Sequence, residues 1–504
     1  MKVVKLEAEG KLAHIPEKSK DHDQITKELK ELIGEEFVAD DIATAFVYSR
    51  TMCEFDQYLP EFIVAPRTTE EVSGVMKIAN KYKQPVQCQV RGLNMGDCHM
   101  LLTGGILVDL RRMNRILEVN EDSGYVLCEA GTTFADLRRE LQEKHPNSTI
   151  LLGYMPAQCG YVSNALVEGH LDLACKYGSS PYNLLSAEVV LPDGEIAQVG
   201  SKGLVKSWNR RYPAPDLLGL FIGWYGSTGI VTKAAMRIIP KFKYKQSVFV
   251  TTPDIDTACE LPRVLARTHL FDGIGSVDWR CILSLSTKMK DMPKERPQGW
   301  PETSMDIHFT SQVSEEEIKF KRKTLESICS KYNAKVVPWD GFGYETERFC
   351  TLPMVEGTPG GLGPFFSGAG KGSGLSWIGG LGEDKYYKDL YLGTLKIYEK
   401  YPGLHPQICM YEMDWGHVGC FRVMVSFDRA NPDQVDKVRK VNREMVKLQY
   451  DHGYTLYKPP KFAEDIAIKE YADEGFVKLM NKVRKALDQN GIMAPGRWSL
   501  EGSK

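Results

Sequence analysis

Residues 86–116 read "VQCQVRGLNMGDCHMLLTGGILVDLRRMNRI". Two strand-like runs, "VQCQV" and "GILVDL", flank a loop with hardly any apolar periodicity. Irregular backbone between buried strands leaves N–H groups that must find partners, so a loop of this kind predicts a ligand. "RGLNMGD" supplies successive backbone N–H groups and one arginine, Arg91, a combination suited to a diphosphate. Neither G-x-G-x-x-G nor G-x-x-x-x-G-K-[ST] is present there, so Rossmann and P-loop sites are poor matches.

Upstream, "RTTEEVSGVMKIANKYKQPV" predicts a helix opened by a capping box, Thr68 with Glu71 three residues on. Val72, Val75, Met76 and Ala79 form its apolar face. Downstream, "YVLCEAG" predicts a strand and "TTFADLRRELQEK" a helix. A second loop, "LGYMPAQCGYVSNALVEGHLDLACKYGSS", is again rich in small residues. It leads to "AEVVLPDGEIAQVG", whose Pro-Asp-Gly predicts a hairpin. From about residue 242 the texture changes to strand–helix units. Residues 357–382, "GTPGGLGPFFSGAGKGSGLSWIGGLG", are expected to be a long glycine-rich loop, either a lid or a surface for an electron-accepting partner. "KYYKDLYLGTLKIYEKY" and "NPDQVDKVRKVNREMVKLQYDHG" predict helices.

At 504 residues two domains are expected. The composition, 42% hydrophobic and 26% charged with a net charge of −2, is that of a globular protein and argues against nucleic acid or an anionic membrane as the main partner. The start "MKVVKLEAEGKLAH" is too charged for a signal peptide or membrane span. Twelve cysteines are scattered with no C-x-x-C, a pattern expected of a reducing, cytoplasmic setting with no metal site.

The pieces "APRTTEEVSGVMKIANKYKQPV", "RGLNMGD", "GGILVDLRRMNRILEVNEDSGYVLCEAGTTFADL", "KYGSSPYNLLSAEVVLPDGEI", "GSTGIVTKAAMRIIP" and "ALDQNGIMAPGR" occur in an order that resembles the vanillyl-alcohol oxidase / p-cresol methylhydroxylase (PCMH) superfamily of FAD-linked oxidoreductases. The resemblance covers about residues 60–240 and the last thirty. It implies an α+β fold of two lobes: a PCMH-type FAD-binding domain over 1–243, completed by 459–504, and an α+β substrate-binding cap domain over 244–458. By position it implies FAD contacts from Arg91, Gly92, Leu93, Asn94, Met95, Gly96 and Asp97, from Pro156, Gln158, Cys159, Gly160, Val162 and Asn164, and from Gly226, Gly229, Ile230 and Val231. Asn490 and Arg497 would return with the tail to the same domain. The flavin carries the redox chemistry in such proteins, and the protein places a substrate C–H bond against it.

On the substrate side, "YEMDWGHVGCFRVMVSFD" bunches Tyr411, Glu412, Asp414, His417 and Arg422. Strand alternation puts 411 and 413 on one face and 412 on the other. His417 has three readings: a structural histidine, a base or donor to the substrate, and a point of covalent flavin attachment. His99 is the rival for attachment. Metal-assisted 2-hydroxyacid dehydrogenases are similar through "GHVGCFRVMVSFD", but Cys420, Phe421 and Arg422 stand where that branch has D-G-N, and "LYKPPKF" replaces its later motif. The 4-alkylphenol branch is similar at the C-terminus. Its phenolate-binding Tyr-Arg pair would fall near Phe476 and Val477, and its acidic residue near Ala157, so either Tyr154, Tyr411 or Arg422 replaces them or the substrate is not a phenol. The expected function is an FAD-dependent oxidoreductase that takes a hydride from a 4-alkylphenol-like substrate or aromatic alcohol, with Tyr411, Glu412 or His417 as base. Electrons would pass to a separate acceptor, protein or quinone, and the chain would form a homo-oligomer. The alternatives are a D-2-hydroxyacid dehydrogenase and a non-catalytic FAD-binding subunit.

Overall fold

The computed structural model describes residues 1–6, 11–92, 96–153, 158–284, 287, 291–337 and 373–499. The helix Thr69–Tyr82 forms where its apolar spacing predicts. The Thr68 side chain accepts the Glu71 N–H at 3.2 Å. The reciprocal half of the box is replaced: the Glu71 carboxylate takes the N–H of Arg67, at 2.6 Å. Val72, Val75, Met76 and Ala79 are all fully buried, each large side chain contributing about 1.5–3 kcal/mol of apolar burial. They pack on a four-stranded sheet in which Phe62–Val64, Ile106–Asp109 and Val86–Gln89 run parallel. The C-terminal tail joins the free edge of this sheet. Val86 donates to the Ile492 carbonyl at 2.7 Å and accepts from the Ala494 N–H at 2.8 Å.

A second, antiparallel sheet follows in the order Ile196–Gly200, Leu184–Val190, Ile230–Arg237, Tyr125–Glu129, Ile116–Asn120. The Pro-Asp-Gly hairpin joins its first two strands, closed by the Leu191 N–H on the Glu195 carbonyl at 2.8 Å. The helix Phe134–Lys144 starts at a complete capping box of Thr133 and Asp136.

From Tyr244 to Leu456 the chain builds one eight-stranded antiparallel sheet. Its order is Lys335–Val337, Tyr244–Thr252, Thr303–Ser311, Gly273–Asp278, Gln407–Met413, Val418–Asp428, Ser373–Gly382, Thr455–Leu456. The helices Tyr387–Tyr398 and Pro432–Asp451 cover one face through Ile408, Met410, Phe421, Val423 and Val425. The opposite, inner face carries Trp377, Cys409, Tyr411, Met413, Cys420 and Met424, and packs on Leu171, Leu173 and Ala174 of the first lobe.

The glycine-rich stretch is corrected here. Residues 357–372 lie outside the described residues, but Ser373–Gly382 is a strand. Its glycines answer to close packing. A Cβ on Gly380 would meet Gln449 Oε1 at 2.4 Å, and one on Gly382 the Tyr454 ring at 2.5 Å. Among the described residues no helix is long and apolar enough to cross a membrane.

Candidate functional site: a cofactor cleft under an aromatic cap

A cleft opens between the two sheets of the first lobe, the concave kind of site in which ligands are held. Its walls come from the opening loop (Gln87 to Gly92, Cys98, His99), from the second loop (Cys159, Gly160, Ser163, Asn164), and from Phe221, Tyr225, Gly226, Gly229 and Val231. Lys458 reaches it from the end of the cap. Gln87 clasps the two sides, its amide donating to the Cys98 carbonyl at 3.0 Å and the Tyr225 carbonyl at 3.1 Å. Gly226 is required by conformation and space: its φ is +82°, and a Cβ would stand 2.5 Å from Gln87 Oε1.

The cleft suits FAD by its donors. Arg91 Nε and Asn164 Nδ2 both belong to residues lining the cleft, and both are buried without an acceptor among the described residues. Buried N–H groups are rarely left so, and an arginine beside exposed loop backbone fits a diphosphate. Gly92, Cys159, Gly160, Gly226, Gly229 and Val231 also stand in the lining. Val162 and Ile230 are instead in the cores behind it, because their strand or helix neighbours alternate inward. Gln158 is exposed. Leu93, Asn94, Met95, Tyr154 and Pro156 lie outside the described residues.

Asp97 and Arg497 are joined to each other. Arg497, fully buried, holds Asp97 Oδ1 at 2.7 Å and Glu464 Oε1 at 3.3 Å, and also donates to the Asp97 carbonyl. Asp97 accepts the Lys461 N–H with both oxygens at 3.1 Å. These two residues pin the loop that carries Gly96 to the tail. Asn490 sits on the surface, bonded to Asn80 Oδ1 at 2.7 Å, where the turn after the last helix leaves it outside the cleft.

The inner face of the cap centres on Arg422. Its Nη2 donates to the Tyr411 hydroxyl at 2.6 Å, and its guanidinium lies 5.0 Å from the Tyr411 ring centre and 5.8 Å from that of Trp377. Trp377 meets Tyr457 edge-on at 4.9 Å. His170 packs against Tyr411 with 4.5 Å between ring centres, and burial lowers its pKa to about 3, so its imidazole is neutral. Beside it Asp172 is buried with neither carboxylate oxygen partnered among the described residues, and burial, then the charge of Asp306, raises its pKa well above the usual carboxylate range. Desolvation also lowers the Lys458 ammonium.

The face rule separates Tyr411 and Arg422 from Glu412. Glu412 points to the helix-covered side with Ile408 and Met410, near Asp384, away from the cleft. His417 lies in the exposed turn between the strands, after three residues with left-handed φ (Asp414, Trp415, Gly416). Neither residue is in the lining of the cleft, whereas His99 is, and is buried there. Phe476 is 55% exposed on the last helix, whereas Tyr457 lies on the inner face of the cap and Lys458 in the cleft lining. In the sequence Tyr457 and Lys458 stand in "LYKPPKF" and His170 and Asp172 in "EGHLDL", stretches that no periodicity marks.

The fold and cleft define an FAD-linked oxidoreductase. Residues 60–200 match the family described as FAD binding domain, and residues 412–498 that of FAD linked oxidases, C-terminal domain. The chain is 23% identical to the 4-cresol dehydrogenase [hydroxylating] flavoprotein subunit of Pseudomonas putida, over 94% of this chain and 95% of that one. It is also 23% identical to glycolate oxidase subunit GlcD of Bacillus subtilis, over 94% and 97%. The structure of p-cresol methylhydroxylase with substrate bound superposes with a TM-score of 0.85 at 20% identity, covering 96% of this chain and 98% of that one. The chain belongs to the vanillyl-alcohol oxidase / p-cresol methylhydroxylase superfamily.

Proposed function

We propose that the chain oxidises a 4-alkylphenol-like substrate or aromatic alcohol, with its anionic ring oxygen held against Arg422. The observation that carries this reading is the charge balance of Arg422. It is half-buried, its Nε is buried without an acceptor, and among the described residues no carboxylate lies within ion-pair distance. A cation so placed favours an anion and lowers the pKa of a phenol beside it. Tyr411, which accepts from Arg422, has its pKa raised well above the ordinary value by burial, so its hydroxyl stays protonated. Trp377 and Tyr457 offer flat walls, and Lys458 adds a second cation at the cleft. When bound, FAD supplies acceptance of the hydride. The division of labour assigns 1–243 with 459–504 to the cofactor and 244–458 to the substrate. The relative named as a flavoprotein subunit supports a separate protein as electron acceptor, and the absence of disulfides among the described cysteines fits a reducing cytoplasm.

Anaerobic addition of 4-ethylphenol is expected to bleach the flavin band of the purified holoprotein. Arg422→Met should slow bleaching by about 100-fold, the loss of one charge-assisted contact, while flavin content is kept. Two cations at one site also suit a carboxylate, and the glycolate oxidase relative supports that second reading. Bleaching by D-lactate or glycolate, with none by any phenol, replaces the first reading with the second.

A further inference from the structure

We propose that Cys281 and Cys409 form a second redox site in the cap, a buried dithiol that closes to a disulfide on reaction with a hydroperoxide. The fold brings the two residues together from different elements. Cys409 is paired across the sheet with Val277 on one side and Arg422 on the other. The chain leaves the first of those strands at Asp278 and turns into the short helix Trp279–Ser284, which carries Cys281. One carboxylate oxygen, Asp278 Oδ1, accepts the Cys281 N–H at 2.9 Å and the Ile408 N–H at 3.1 Å. One carboxylate thus ties the start of the helix that carries Cys281 to the strand that carries Cys409. Cys281 is the neighbour that acts most on the Cys409 thiol, and both side chains lie in the cluster of the inner face.

The electrostatics suit attack by Cys409. The Cys281 hydrogen bond lowers its thiol pKa, burial opposes this, and the Arg422 guanidinium lowers it again. A thiolate beside a cation is the reactive form. The Cys409 sulfur attacks one peroxide oxygen, the O–O bond breaks, and the departing hydroxide takes a proton to leave as water. Cys281 then attacks the resulting sulfenic sulfur, the S–S bond forms, the S–O bond breaks, and a second water leaves. Two thiols lose two electrons and two protons, and one peroxide is reduced to two waters.

The test uses wild-type holoprotein exposed to stoichiometric hydrogen peroxide, alkylated with iodoacetamide under denaturing conditions, and digested for mass spectrometry. The expected product is one cross-linked pair of peptides containing Cys281 and Cys409, lighter by two hydrogens than the two reduced peptides together and released by dithiothreitol. In Cys281→Ser the cross-link should vanish and Cys409 should go on to the sulfinic acid. The proposal is overturned if wild-type Cys409 goes to the sulfinic acid without cross-linking, if it pairs with Cys420, or if both thiols remain alkylatable. Because peptides are read rather than turnover, the result does not depend on which substrate the flavin oxidises.

Discussion

Arg497 and Arg422 are both drawn into the interior, and the molecule balances them in opposite ways. Arg497 closes on two carboxylates, Asp97 and Glu464, with its backbone neighbours adding further bonds. Arg422 closes on a phenol, an indole face and a thiol, with no carboxylate of the described residues at ion-pair distance. The first arrangement is complete in itself and holds a loop in place. The second leaves positive charge to be met by something that arrives. Burial of a charge is thus not evidence of function on its own. What separates scaffold from site is whether the protein supplies the counter-charge.

The largest expected effect sharpens the scaffold half of this comparison. Arg497→Met leaves two buried carboxylates without their cation, and one of them, Glu464, already has its pKa raised to about 7 by burial. Loss of one partner of such a group costs about 3–5 kcal/mol. Urea unfolding should show that loss, together with weaker FAD retention because Asp97 no longer anchors its loop to the tail. An unchanged unfolding midpoint would mean that Arg497 is as unsatisfied as Arg422, and the contrast would fail.

The legibility of the two regions differs for the same reason. The cofactor lobe is written in backbone: glycines, a Thr68 cap, a Pro-Asp-Gly turn and a helix face at 72, 75, 76 and 79. Each of these is a local rule, so the α+β fold and the position of the cleft can be read from segments. The cap's inner face is written in long-range pairing. Arg422 meets Tyr411 because two strands are in register, and His170 joins them from the other lobe. Alternation predicts that Tyr411 and Glu412 part company, but it does not say which face the helices cover. Glycines at 374, 379, 380 and 382 look like a loop in sequence because the side chains that fill their space, Phe427, Tyr457, Gln449 and Tyr454, come from elsewhere in the chain.

A middle-sized effect tests the helix-covered face. Burial, then the nearby charge of Asp384, raises the Glu412 pKa to about 8, with Tyr387, Arg267 and Arg263 facing it and pulling the other way. Its folded pKa stands above its unfolded value of 4.5, so the stability it contributes is full below about pH 4.5 and is lost as pH rises through about 8. Glu412→Gln should remove that slope and make the protein more stable than wild type above pH 8, by about 1–3 kcal/mol. Thermal midpoints collected from pH 5 to pH 9 read the slope directly. A variant that loses stability at every pH, or that loses flavin bleaching while folded, would move Glu412 from the packed side to the chemistry.

The smallest effect is the most exacting for the inner face. His417 sits between the same two strands as Tyr411 and Arg422, only a few residues from each in sequence, yet it is exposed in their connecting turn. Its side chain has no buried contact to lose, so His417→Ala should change stability by no more than about 0.5 kcal/mol, with the flavin spectrum and the acid-precipitable flavin unaltered. His99→Ala, in the cleft wall, should instead alter the flavin spectrum or its retention. If acid-stable flavin disappears from the His417 variant and persists in the His99 variant, the turn must fold over the cleft, and the separation of an anion-seeking inner face from a solvent-facing hairpin tip is wrong.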